Sequence, residues 1–102
     1  MEYNHEVILC IVNAGFADAV MESAKKAGAT GGTIVHARGT ANPEAEKFFN
    51  IAISSDKEMV MILVDKNIKK DVLNALYDDV GLNTEGKGIA FSLPVTGVVG
   101  IK

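Results

Sequence analysis

The chain has 102 residues, 48% of them apolar, and a formal net charge of −3. That length suits a single domain spanning 1–102 around one core, and the composition excludes an intrinsically disordered chain. Neither a basic stripe nor an aromatic-and-basic platform is present, which argues against nucleic acid as a partner. The single cysteine, Cys10, excludes an internal disulfide framework.

Met1 to Glu6 lacks the basic region of a secretion signal, and the apolar run after it is too short to span a membrane. The expected setting is a reducing cytoplasm, without membrane insertion. Val7 to Val12 is a continuous apolar run rich in β-branched residues, which reads as a strand buried on both faces with Cys10 as a small core residue. After Gly15, the residues Phe16, Val20, Ala24 and Ala27 recur at helical spacing, and Gly28 is the expected stop. Thr33 to Arg38 reads as a second strand ending at Gly39. Thr40 to Pro43 is expected as loop, with Pro43 suited to start a short helical turn through Lys47.

Phe49, Ile51 and Ile53 then alternate with Asn50, Ala52 and Ser54, a strand pattern. Ser55-Asp56-Lys57 is expected to turn the chain into the strand Met59 to Val64. Over 67–80, Ile68, Val72, Leu76 and Val80 stand at i+4 spacing, the apolar stripe of a second helix. Ile89 to Val95 reads as the last long strand, with Pro94 marking an edge or an end. Val98 to Ile101 reads as a short terminal strand or tail.

The order strand, helix, strand, strand, helix, strand is the split βαβ, ferredoxin-like arrangement, an α+β fold with two helices on one face of an antiparallel sheet. Two helices cover only one face. Yet Val7, Leu9 and Ile11 oppose Ile8, Cys10 and Val12, and Met59, Met61 and Leu63 oppose Val60, Ile62 and Val64, so both faces are apolar. Leaving one in water forfeits about 1.5–3 kcal/mol for each large side chain that a partner would bury. An obligate oligomer is therefore expected.

Gly81 to Gly88 is one residue away from a phosphate-binding P-loop, but Gly88 stands where a Ser or Thr should follow Lys87. The order is also reversed, since a helix precedes this stretch and a strand follows it, whereas a P-loop feeds a helix N-terminus. Two readings stay open. Gly86, Lys87 and Gly88 can gather successive backbone N–H groups into a nest for an anion, or Gly81 ends the helix and the rest is a solvated turn.

The stretches "GATGGTIVHARGT" (28–40) and "GKGIAFSLPV" (86–95), with the spacing between them, resemble the PII nitrogen-regulatory signalling family over nearly the whole chain. The resemblance implies a ferredoxin-like homotrimer that binds an adenine nucleotide, ADP, AMP or ATP, in the clefts between subunits, with magnesium undecided. Residue by residue, Gly31 and Thr33 match positions lining the adenine side. Gly39 matches the close-approach glycine at the start of a signalling loop, and Arg38 the basic residue before it. Gly86, Lys87 and Gly88 match the phosphate loop, and Lys102 matches the second of two C-terminal basic residues that reach the phosphates.

The departures are specific. Ile89 replaces the lysine after the phosphate loop, Gly100 replaces the first C-terminal basic residue, and Lys87 supplies a cation one position earlier. Each lost charged contact costs roughly 1.5–3 kcal/mol, which brings mono-, di- and cyclic nucleotides into competition with a triphosphate. The loop from Gly39 is shorter than the family's, Pro43 falls near its effector-binding glutamine, and no tyrosine lies between Gly39 and Lys57. Sensing of 2-oxoglutarate by the usual route and uridylylation are both expected to be absent.

Thr40, Asn42, Pro43, Glu44, Glu46 and Phe48 are the candidate partner-binding residues of that loop. Glu44 and Glu46 read as a solvated face of a Pro-led turn rather than paired catalytic carboxylates. Phe48 and Phe49 point to opposite sides of a strand, one to a core or interface and the other free to anchor a partner. His5 and His36 have no metal spacing between them. The expected function is a non-enzymatic regulator of a transporter or metabolic enzyme, in nitrogen or related metabolism. A trimeric scaffold of the same fold without nucleotide binding is the alternative, and no nucleophile–base pair supports an enzyme.

Overall fold

The computed structural model describes residues 4–40 and 56–100. Its elements are β1 (His5–Asn13), α1 (Ala17–Lys26), β2 (Thr33–Arg38), β3 (Asp56–Asp65), α2 (Lys69–Val80) and β4 (Ile89–Pro94). The sheet runs β2-β3-β1-β4, and each neighbouring pair is antiparallel. This is the expected βαββαβ fold, with β2 and β4 as outer strands. Pro94 sits on one of them, where its missing N–H does least harm to the ladder.

Alternation along the strands sorts the apolar residues. Ile8, Cys10 and Val12 of β1 and Val60, Ile62 and Val64 of β3 are buried against Val20 and Ala24 of α1 and Val72, Leu76 and Val80 of α2. These are the same stripes that the helical spacing marked in the sequence. Burial pushes the Cys10 thiol up from 9.0 to about 11, so it stays protonated near neutrality.

Three features differ from expectation. The strand expected over 59–64 begins earlier, at Asp56, so Asp56 and Lys57 form no turn. They pair instead with Arg38 and Ala37 of β2, while Lys57 and Glu58 also pair with Asn13 and Val12 of β1. The polar residues hid this extension because each finds a partner distant in sequence. Lys57 Nζ donates to Asn13 Oδ1 at 2.7 Å, and Glu58 Oε1 accepts the N–H groups of Gly15 and Ala17 at 2.6 and 3.3 Å. Glu58 thereby caps α1, whose own N-cap residue, Phe16, has no side chain able to do so.

Likewise β1 extends beyond 7–12 at both ends, and its Glu6 accepts a 2.8 Å hydrogen bond from Lys69 Nζ at the start of α2. Thirdly, β4 ends at Pro94, one residue before the expected Val95, and of the terminal strand or tail expected over 98–101 the described residues 98–100 take the tail form. The strand pattern at 49–53 and the helical turn at 43–47 lie outside the described residues.

Candidate functional site

The glycine loop begins where α2 ends. Thr84 N–H donates to the Gly81 carbonyl at 2.9 Å, and the Thr84 hydroxyl donates to the same oxygen at 2.7 Å. Lys87 N–H returns to Thr84 O at 3.2 Å, and Gly88 N–H returns to Val80 O at 2.6 Å. A short parallel bridge joins Gly81 to Gly88, closing the loop on itself. Lys87 carries the turn with φ of +51°, a left-handed conformation that is uncommon for a residue with a side chain.

This geometry explains two of the glycines from packing. A Cβ at Gly81 would collide with the Tyr77 carbonyl, and one at Gly88 with the Val80 carbonyl while lying 2.9 Å from Val12. It also alters the expected nest. Two of the three donors, the N–H groups of Lys87 and Gly88, are turned inward onto carbonyls, because the loop must close over the end of α2. The cation that remains outside is Lys87, whose Nζ reaches the Leu82 carbonyl at 3.3 Å from an exposed position.

From the other side, Asn13 holds the loop by two bonds. Its backbone N–H donates to Gly86 O at 2.8 Å, and its side-chain Nδ2 donates to Glu85 O at 3.1 Å. Gly86, Lys87 and Gly88 therefore stand at the end of the sheet where β1 finishes, beside the start of β4.

Arg38 and Gly39 come to that same end, but on the other edge. Arg38 pairs with Asp56, and β3 and β1 lie between it and the glycine loop, a gap of roughly 14 Å at about 4.8 Å per strand. Gly31 and Thr33 lie further down the β2 side. Thr33 pairs with Met61, about 17 Å along the strand from Arg38. Gly31 lines a concavity of ≈ 480 Å³ with Gly28, Leu63 and Asp65, and the direction a side chain would take at Gly31 is open for 4 Å. Thr40 is exposed just beyond the end of β2. Asn42, Pro43, Glu44, Glu46, Phe48 and Lys102 lie outside the described residues. One chain thus brings Gly86–Gly88 together, and Arg38 with Gly39, but keeps these groups apart from each other and from Gly31 and Thr33.

Two polar residues that sequence reasoning passed over stand in the gap. Lys57 and Asn13 link the Gly39 side to the glycine loop. The polar Asn13 ending an apolar strand was the available signal; Lys57 was hidden by its assignment to a turn. His36 is exposed on β2, opposite Glu58, and no group of three or more His, Cys, Asp or Glu able to hold a metal occurs among the described residues.

The sheet face away from the helices is apolar, and no element among the described residues covers it. Register places Val35, Met59, Ile11 and Ile89 in one row, Met61, Leu9 and Phe91 in the next beside Thr33, and Leu63, Val7 and Leu93 in the third. Met61 is 39% exposed, Phe91 44% and Leu93 46%. No helix among the described residues is long and apolar enough to cross a membrane.

Comparison with curated proteins returned no match. Among solved structures, the PII protein of Arabidopsis thaliana, bound there to citrate, is similar with a TM-score of 0.72 and 22% identity, covering 98% of this chain and 82% of that one. A protein of Thermus thermophilus described as PII-like and signaling is similar with a TM-score of 0.66 and 17% identity, covering 87% of this chain and 83% of that one. These likenesses agree with the fold. Residues 6–102 match the family model for nitrogen regulatory protein P-II, and the chain belongs to that family.

Proposed function

We propose that this chain is a signal-transducing regulator that works as a homotrimer and binds an adenine nucleotide in the clefts between copies. The observation that carries this reading is the division of the candidate residues between opposite edges of a sheet whose open face is apolar. A ring closes when one edge of each copy meets the other edge of the next, a heterologous contact. A ring joined this way with its open faces turned inward covers Met61, Phe91 and Leu93 while setting Gly86, Lys87 and Gly88 of one copy against Arg38 and Gly39 of its neighbour. Side chains at this exposure gain about half of the 1.5–3 kcal/mol that complete burial supplies.

In this reading the nucleotide's base is received near Gly31 and Thr33, where the concavity and the open backbone give it room. Its phosphates meet the Lys87 ammonium and Lys102. With two loop N–H groups turned inward, and with Ile89 and Gly100 where the family has cations, AMP or ADP is favoured over ATP. A ligand that touches both Arg38–Gly39 and the glycine loop then shifts the 39–48 stretch, through Thr40, Asn42, Pro43, Glu44, Glu46 and Phe48, between states that fit a target protein differently. The target is a transporter or metabolic enzyme, by analogy with the family. The chain does no chemistry of its own, and its setting is the cytoplasm.

Calorimetric titration with AMP, ADP, ATP and cyclic AMP, with and without magnesium, tests this beside light-scattering mass. The expected result is saturable micromolar binding without turnover, weakened at least tenfold in Lys87→Ala, by a species three times the 10.8 kDa chain mass. A trimer that binds none of the four would favour a scaffold of the same fold.

A further inference from the structure

We propose that Asn13 and Lys57 are positioning residues that tie the end of β2 to the glycine loop, so that a displacement at Gly39 is transmitted to Glu85 and Gly86. The path starts at Gly39. A Cβ there would lie 3.2 Å from Lys57 Cε and 3.4 Å from its Cγ, so the lysine stem rests against this backbone. The stem ends in an ammonium that donates to Asn13 Oδ1 at 2.7 Å. An ammonium can only donate, so it fixes which end of the Asn13 amide is oxygen and turns the NH2 group the other way. That NH2 meets the Glu85 carbonyl at 3.1 Å, and the Asn13 backbone N–H meets the Gly86 carbonyl at 2.8 Å.

Each link has one polarity, and together they cross from β2 to the loop beside β4. Asn13 is half-buried at the last position of β1, so it does not swing freely. If the Lys57 ammonium moves, the amide loses the contact that orients it, and the Glu85 carbonyl loses its donor. The relay needs no nucleotide to exist. Its use in signalling rests on the function proposed above.

Two substitutions separate the links. Asn13→Asp keeps the shape and the attraction for Lys57 but replaces the donor facing Glu85 O with a second acceptor. Lys57→Met keeps the stem against Gly39 and removes the ammonium. Hydrogen–deuterium exchange of the whole chain, without nucleotide, reads the amides of 84–88. Both variants are expected to raise exchange there at least fivefold, and the double variant no further than the larger single one. Glu58→Gln is the control, because it weakens the cap of α1 one residue from Lys57 and is expected to spare 84–88. Unchanged exchange at 84–88 in Lys57→Met overturns the relay, as does an equal rise throughout the chain or the same rise in Glu58→Gln. Nucleotide titration of the wild type separates the two ideas, since a relay that passes this test in a protein that binds no nucleotide leaves the proposed function alone at fault.

Discussion

The two faces of this sheet are built from nearly the same residues and end in opposite circumstances. Ile8, Cys10, Val12, Val60, Ile62 and Val64 point at the helices and are closed from water. Their immediate neighbours along the same strands, with Ile89, Phe91 and Leu93, point away and stay partly wet. Composition does not distinguish them; what distinguishes them is which face the two crossover helices cover. Apolar character in a strand therefore reports that a face is to be buried, and only topology tells whether the same chain buries it.

The sharpest way to test that contrast is a pair of substitutions at adjacent positions. Ile62→Ala removes a fully buried side chain from between sheet and helices, and should lower the unfolding free energy by about 2–5 kcal/mol in urea denaturation. Met61→Glu, one residue away on the other face, should change the stability of a single copy by no more than about 1 kcal/mol. Its effect should fall on assembly, reducing the mass seen by light scattering to that of one chain. If Met61→Glu unfolds the protein as Ile62→Ala does, the faces are not distinct in the sense drawn here.

A smaller effect separates the faces by pH. The Cys10 thiol belongs to the covered face, and burial holds its pKa at about 11 rather than 9.0. The folded state keeps this proton more tightly than the unfolded chain does. The corresponding stability is complete below pH 9 and is lost as the pH rises through about 11. Unfolding midpoints at pH 8, 9.5 and 11 should decline more steeply in the wild type than in Cys10→Ala. Equal slopes would mean that the thiol is less closed off than its position indicates.

The smallest expected effect lies between the helices. Ser23 is 2% exposed, and its hydroxyl has no hydrogen-bond partner. Ser23→Ala removes that unmet group and improves helix propensity, so it should raise stability by about 1 kcal/mol. A loss on thermal unfolding would mean that the hydroxyl has found a bonding partner, such as a trapped water.

Much of the fold was readable from the chain because its signals were local. Val72, Leu76 and Val80 announce a helix face by spacing alone, and Val7 to Val12 a strand by branching. The start of β3 was not readable, because Asp56, Lys57 and Glu58 look like a turn until Arg38, Asn13 and the α1 terminus are in place around them. The glycine loop was readable as a feature and not as a cause. Its spacing draws attention as a phosphate motif, whereas the reason for Gly88 is the Val80 carbonyl, which no spacing rule reveals. Of the candidate site, Gly86–Gly88 and Arg38–Gly39 were named from the resemblance alone, while their place at one end of the sheet and their separation across β3 and β1 depend on strand order. Asn13 and Lys57 escaped for the same reason: what makes them matter lies more than forty residues away.

The carboxylate of Glu58 has a consequence for the order in which the chain folds. Helix α1 follows β1 at once in the chain, yet the donors at its beginning are met by a residue 41 to 43 positions downstream. Its first turn cannot be completed while the 38–56 connection remains open, and closing such a loop has an entropic cost that local helix formation does not offset. The amino-terminal β1–α1 unit is thus expected to emerge from synthesis with a frayed helix start. That start would become firm only when β3 enters between β1 and β2, which makes insertion of the central strand the step that commits both halves to one structure.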